Sequence, residues 1–283
     1  MGELFKEAEQ SHLASHHQMN SWTEIPIKKI KQTGQQILDC MWVYTYKLNK
    51  HHRLLKCKAR LVVRGDQQRN ITSQDTYAAT LASRSFRMLT AIAAKYDLEL
   101  KQYDVANAFV HATIDREVFM RMPRGHQKPG TILKLNKALY GLRISPLLWQ
   151  KEFTSTLKEL GFQEVPHEPC CLIKGGIIIF FYVDDIILAY HKDIEQSAQQ
   201  AIARLQEKYL FTGGNDLQWF SASRSSEIAN QGRSNCRRRP TQTRSVDWPT
   251  VPTLDTTRRW RLPSYSLEMG SPAHQRSTNT SAR

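Results

Sequence analysis

Two adjacent carboxylates stand between two of the most apolar segments of the chain. Residues 180–189 read F-F-Y-V-D-D-I-I-L-A. Ionised carboxylates are costly to bury unless something pairs with them. A hairpin resolves the conflict. Ile177–Val183 and Ile186–Tyr190 enter the core as strands, and Asp184 and Asp185 project from the tip. Two such groups close together repel, and a divalent cation relieves the repulsion. Mg²⁺ prefers carboxylate oxygen and usually shares its shell with substrate phosphates. An acidic hairpin turn without a metal accounts for the same residues, because Asp is common in turns.

A third carboxylate belongs with this pair. Asp104 lies at the end of the alternating, strand-like segment LELKQYDV (98–105) and is followed by A-N-A-F. An acid at one strand end, beside an acidic hairpin tip, can supply a ligand shared by two metal ions. Taken alone, Asp104 reads as a cap for the short segment after it.

The pattern around these residues is mixed α/β up to about residue 220. MWVYTYKL (41–48) and KARLVVR (58–64) predict two strands around a turn at 49–53. Ser85 is placed to cap a helix whose one face carries Phe86, Leu89, Ala93 and Tyr96. Ser145-Pro146 predicts a helix start. Trp149, Phe153, Leu157 and Leu160 follow at helical spacing, and Gly161 stops the helix. A last amphipathic helix runs through Ile194, Ala198, Leu205 and Tyr209. Residues 1–35 are polar with no strong period. His12, His16 and His17 share a helical face there, without the partners a zinc site needs.

With 283 residues the chain has room for about two domains. The net charge of +14 favours a polyanionic partner. Half of that excess falls in residues 221–283, which hold 11 Arg, no Lys and 4 acids, with 11 Ser, 8 Thr and 5 Pro. The composition predicts a disordered basic tail that contributes no core. Arg without Lys is also what out-of-frame translation would give. The apolar run Ile177–Val183 is far short of the ~20 residues of a membrane-spanning helix, so no membrane partner is expected. Five cysteines without a C-x-x-C pair and without a secretory signal read as reduced thiols of an intracellular protein.

Five motifs occur in order: K-A-R-L-V-V-R-G-D-Q-Q (58–68), Y-D-V-A-N-A-F-V (103–110), V-F-M-R-M-P-R-G (118–125), L-N-K-A-L-Y-G-L-R-I-S-P-L-L-W (135–149) and Y-V-D-D (182–185). Over roughly residues 15–220 the chain resembles the reverse transcriptase domain of copia-type LTR retrotransposon polyproteins. Y-V-D-D alone would be weak; five ordered motifs are specific. The resemblance implies an α+β fold, a right-hand polymerase with fingers, palm and an antiparallel palm sheet in residues 1–220.

It also implies a site. Asp104, Asp184 and Asp185 match the catalytic carboxylates, with Asp104 and Asp184 the main ligands of two Mg²⁺ ions ~3.5–4 Å apart. Mn²⁺ could substitute. Phe109 matches the aromatic gate that selects dNTP over rNTP by leaving no room for a 2′-hydroxyl. Lys58 and Arg60 match basic residues that contact the triphosphate. Tyr140, Gly141, Ser145 and Pro146 match the motif lining the nucleotide and template pocket. Ile144 stands where the family usually has a polar or basic residue. The partners implied are an RNA template, a DNA primer and dNTP, in cytoplasmic particles or the nucleus. The sequence gives no sign of oligomeric state.

The likeness stops after L-Q-W-F (217–220), where S-A-S-R-S-S follows. The expectation is therefore a thumb that is missing or degenerate. Two functions remain open: an RNA-directed DNA polymerase domain, or a decayed retroelement fragment that binds nucleic acid only through its charge.

Overall fold

A run of β-branched and aromatic side chains cannot be satisfied by one apolar stripe, and residues 177–190 build a sheet centre from it. The computed structural model describes residues 2–217, apart from 50, 70–71, 73–77 and 79–82. In it, β10 (Ile177–Tyr182) and β11 (Asp185–Tyr190) form the predicted hairpin. They sit inside an antiparallel six-stranded sheet ordered β12-β5-β11-β10-β9-β8. Its other strands are β5 (Glu99–Val105), β8 (Gln163–Val165), β9 (Glu168–Lys174) and β12 (Phe211–Asp216). Successive strand residues point to opposite faces. Ile186 to Tyr190 are all buried, so the sheet is covered on both sides at β11.

Helices supply that cover. In the helix Ser145–Glu159, Trp149, Phe153 and Leu157 are buried at the predicted spacing, and Gly161 follows with φ +88°. Ala198, Ile202 and Leu205 of the helix Glu195–Gln206 join the same core, with Tyr209 beyond its end. The helix Ser83–Tyr96 adds Phe86 and Leu89. Its expected face is corrected at two points. Tyr96 is exposed, and the Ser85 hydroxyl lies inside the helix, bonded to Glu168, rather than capping it. Cys170 and Cys171 are buried free thiols pushed up to about 12, first by burial and then by Glu168, which keeps them unreactive.

A second sheet, ordered β1-β7-β6-β2, joins β1 (Trp22–Pro26), β7 (Thr131–Leu135), β6 (Phe119–Arg121) and β2 (Ile37–Leu38). The expected pair around residues 49–53 forms β3 (Cys40–Leu48) and β4 (Leu54–Val63), a separate two-stranded hairpin. Asn49 closes its turn by accepting the amides of His51 and Arg53 through Oδ1. No helix among the described residues is long and apolar enough to cross a membrane.

The polar N-terminus holds an element that periodicity did not predict, a helix over Gly2–Gln18. Histidines anchor it in place of an apolar stripe. His12 Nε2 accepts the Leu61 amide of β4 at 3.0 Å, so it carries no proton. His16 Nε2, 3.0 Å away, is therefore the donor of that pair, and Ser21 donates to His16 Nδ1 at 2.8 Å. Trp22 stacks on the His16 ring. This is a structural role.

The stretch after residue 217, including the expected thumb connection and the tail 221–283, lies outside the described residues.

Burial, and for His12 also Arg60, holds His12 down to about 4; burial with His12 and His17 holds His16 down to about 3. The unfolded chain takes up these protons near 6.5. The network's stability is therefore full above that value and is lost as the pH falls toward 4. Urea melts should show a loss on the order of 3–4 kcal/mol between pH 7 and pH 5, about half from each histidine. His16→Gln should be less stable at pH 7 and show a flatter dependence; an unchanged slope would contradict the anchor.

Candidate active site

Backbone register assembles the acidic site. β5 and β11 pair Asp104 directly with Asp185. Opposed residues on an antiparallel ladder share a face, with Cβ atoms about 4.5–5.5 Å apart. Asp184 is the neighbouring residue of the β10–β11 turn, whose two central residues are Val183 and Asp184. All three predicted carboxylates thus meet at one end of the six-stranded sheet.

The turn that presents them is strained. Val183 has φ +56°. A β-branched residue avoids that region, and two-residue hairpins with a positive φ at their first central position favour glycine there. The cost is roughly 1–3 kcal/mol. Burial of Ile186, Ile187 and Leu188 next door contributes roughly 5–9 kcal/mol by area, enough to outweigh it. Two hydrogen bonds fix the geometry. The Trp149 indole N–H donates to the Val183 carbonyl at 2.6 Å. The Val105 amide donates to the Asp184 carbonyl at 2.8 Å, tying the residue after Asp104 to Asp184.

The carboxylates oppose one another electrostatically. Desolvation, then Asp184 and Asp104, pushes Asp185 up to about 6, against a hydrogen bond with Gln102. Asp104 is also raised, by desolvation first and then by Asp184, while Lys58, Lys47 and Arg60 act the other way. As they stand, no three His, Cys, Asp or Glu side chains among the described residues are grouped closely enough to hold a metal ion. In kind the donor set suits a hard divalent cation: three oxygen-donor acids, two of them half-buried, whose mutual repulsion a +2 charge would cancel.

Facing the acids is a basic hairpin. Cross-strand register puts Lys47, Lys56, Lys58 and Arg60 on one face of β3–β4. None of the four forms an ion pair with a described carboxylate. Sequence motifs singled out Lys58 and Arg60; Lys47 and Lys56 emerge only from the register. A groove of about 850 Å³ runs between this hairpin and the N-terminal helix, lined by Ser11, Ser15, Lys47, Lys58, Arg60 and Asn107 among others. Asn107, left-handed at φ +53°, donates to Ser15 Oγ at 3.1 Å and so joins the helix to the turn after Asp104.

The hairpin is held against the 139–145 turn by two backbones passing at contact. The Val63 amide donates to the Tyr140 carbonyl at 2.8 Å. Gly141 has φ +94°, and a Cβ there would run into the Val63 carbonyl oxygen. The close approach at Gly141 is made to β4. It sets the Arg60 guanidinium over the Tyr140 ring, 4.4 Å from the centroid, and Tyr140 meets Phe109 edge-to-face at 4.6 Å. Phe109 is buried beneath this stack.

Ser145 and Pro146 stand apart from the acidic cluster's polar surface. Ser145 is fully buried, and its hydroxyl donates to the Leu139 carbonyl at 2.6 Å. It closes the 139–145 turn; it neither caps the helix nor offers a hydroxyl to a ligand. Pro146 occupies the first turn of that helix, and Ile144 is buried. Trp149 was legible only as a core residue, although a buried indole needs a partner for its N–H, and that need points to the turn.

Residues 26–212 match the family described as reverse transcriptase (RNA-dependent DNA polymerase). The chain belongs to that family, as the reverse transcriptase domain of a copia-type retrotransposon polyprotein. It is 34% identical over 164 residues to the Retrovirus-related Pol polyprotein from transposon TNT 1-94 of Nicotiana tabacum, covering 55% of this chain and 12% of that protein. Over 192 residues it is 30% identical to the Pol polyprotein from transposon RE2 of Arabidopsis thaliana, covering 65% and 13%. A Ty1-DR1 Gag-Pol polyprotein of Saccharomyces cerevisiae is 28% identical over 214 residues, covering 71% and 12%. The chain therefore spans about an eighth of the length of the curated relatives it matches. Among solved structures, telomerase from Candida albicans in complex with a fragment of telomeric RNA aligns over 77% of this chain and 47% of its own, with a TM-score of 0.43 and 9% identity.

Asp185 keeps its proton to about 6 in the folded chain, against an ordinary value of 3.8. Its contribution to stability is full below 3.8 and is lost as the pH rises through 6. Without divalent cation, Asp185→Asn should therefore raise stability at pH 7 by on the order of 1 kcal/mol. Mg²⁺ should raise the Tm of the wild type more than that of the variant. A variant less stable than wild type at pH 7, or an equal response to Mg²⁺, would contradict this account.

Proposed function

We propose that this chain carries the fingers and palm of an RNA-directed DNA polymerase, residues 1–220, and that Asp104, Asp184 and Asp185 are its catalytic carboxylates. The observation that carries the reading is the register of β5 against β11, which sets Asp104 opposite Asp185 beside the Asp184 turn. Membership of the reverse transcriptase family supports the reaction class.

Asp104 and Asp184, with Asp185 in support, would hold two Mg²⁺ ions, or Mn²⁺ in their place. Bound there, the ions would activate a primer 3′-hydroxyl, polarise the α-phosphate of a dNTP and stabilise the departing pyrophosphate. The rest falls to the protein's own groups. Lys58 and Arg60 face the carboxylates from β4, with Lys47 from β3, and supply positive charge for a triphosphate. Tyr140 orients Arg60 through its ring face. Phe109, wedged under Tyr140, limits the room beside the sugar and so favours dNTP over rNTP. The Val63–Tyr140 and Gly141 contacts hold the basic hairpin to the 139–145 turn, which matters because small misplacements of reacting groups cost much rate. An RNA template and a DNA primer are the expected polyanionic partners.

A second reading, charge-driven nucleic-acid binding without catalysis, is favoured by the cluster of four cations on the β3–β4 face. Such binding would fall steeply with salt and would not depend on the carboxylates.

Primer extension on an RNA template with Mg²⁺ and dNTP separates the two. Polymerase function predicts extension by the wild type and its loss, by about a hundredfold or more, in Asp104→Asn and in Asp184→Asn, with RNA binding retained. Salt-sensitive binding with no extension by any of the three would leave the charge-only reading.

A further inference from the structure

The strained turn at Val183 has one side-chain hydrogen bond that the scheme above does not use. The Trp149 indole N–H meets the Val183 carbonyl at 2.6 Å, one residue before Asp184. The donor is rigid. Trp149 is buried, stacks on Phe153 at 5.1 Å, and meets Tyr209 edge-on at 5.4 Å and His111 at 6.0 Å. Its helix begins at Ser145, whose hydroxyl is locked to Leu139, so the indole cannot follow the turn if the turn relaxes.

The acceptor is the opposite. Val183 is a β-branched residue at φ +56°, a conformation it leaves unless something holds it. On the far side of the same turn, the Asp184 carbonyl is held by the Val105 amide. The two carbonyls of the turn are thus pinned from two directions, one by the strand that carries Asp104 and one by the helix.

We infer that Trp149 is a positioning residue, whose indole N–H keeps the Val183 turn left-handed and thereby sets where Asp184 stands relative to Asp104. The inference rests on the reading of these carboxylates as the polymerase site. A phenyl ring would fill much of the same core space but could not make this bond. The strain and the bond also depend on each other: a residue content with positive φ would need the indole far less.

A double-mutant cycle in the full chain tests this. The variants are Trp149→Phe, Val183→Gly and the two together, read by Mn²⁺ affinity and by single-nucleotide addition. Trp149→Phe should weaken Mn²⁺ binding and lower kcat about tenfold, with the KM for dNTP nearly unchanged. In the V183G background the same substitution should cost less than about twofold, since the turn then holds its shape unaided. Equal losses in both backgrounds would show that Trp149 acts only as core packing and would overturn the inference. Benzothienylalanine at position 149, with sulfur in place of the N–H, serves if the phenylalanine variant fails to fold. Hydrogen exchange at the Trp149 indole gives a readout independent of the chemistry. Strong protection is expected, and free exchange would overturn the inference. A wild-type chain that neither binds Mn²⁺ nor extends a primer, yet protects this proton, would count against the polymerase reading and leave the held turn standing.

Discussion

The antiparallel ladder between β5 and β11 is the constraint from which the rest of the site follows. It joins strands more than eighty residues apart in sequence and places Asp104 across from Asp185. A slip of one residue would send every side chain of β11 to the other face. Both faces of β11 are buried, so the close packing of Ile186, Ile187 and Leu188, rather than an apolar–polar alternation, opposes that slip. The apolar run that looked incompatible with two acids is therefore what holds them, and the acids sit at the strand end where the covered core stops.

Opposed charges complete the arrangement. Three acids crowd one strand end, and four cations crowd the facing side of the β3–β4 hairpin. The two sets influence each other without closing into ion pairs. A layout of this kind leaves both sides short of a counter-charge. In kind, a divalent cation suits the acids and a phosphate chain suits the cations. Arg60 over Tyr140, and Gly141 against Val63, fix the hairpin's place beside the 139–145 turn.

Much of this was legible in the sequence wherever the signal was periodic or local. The 177–190 hairpin, the 145–159 helix and the strand ending near Asp104 follow from apolar spacing, and the ordered motifs singled out the three carboxylates that the register brings to one sheet end. The N-terminal helix was not legible, because His12, His16 and Ser21 anchor it and polar anchors leave no apolar stripe. Lys47 and Lys56 were invisible for another reason: their alignment with Lys58 and Arg60 depends on strand register, which a single chain segment does not reveal. Ser145 marked a helix start by its place before Pro146 and a pocket position by the family motif, and burial turns its hydroxyl back to Leu139. The role of Trp149 depends on a backbone carbonyl thirty-four residues away, and hydrophobic pattern alone carries no such information.

The central claim is that one end of β5 and the tip of the β10–β11 hairpin form a single divalent-metal site. The most direct test loads the full chain with Fe²⁺ in place of Mg²⁺ and maps where peroxide and ascorbate cut the backbone. The account predicts cuts near residue 104 and near residues 183–185, both suppressed by excess Mg²⁺. Cleavage at only one of these segments, or cleavage elsewhere that Mg²⁺ does not suppress, would contradict it.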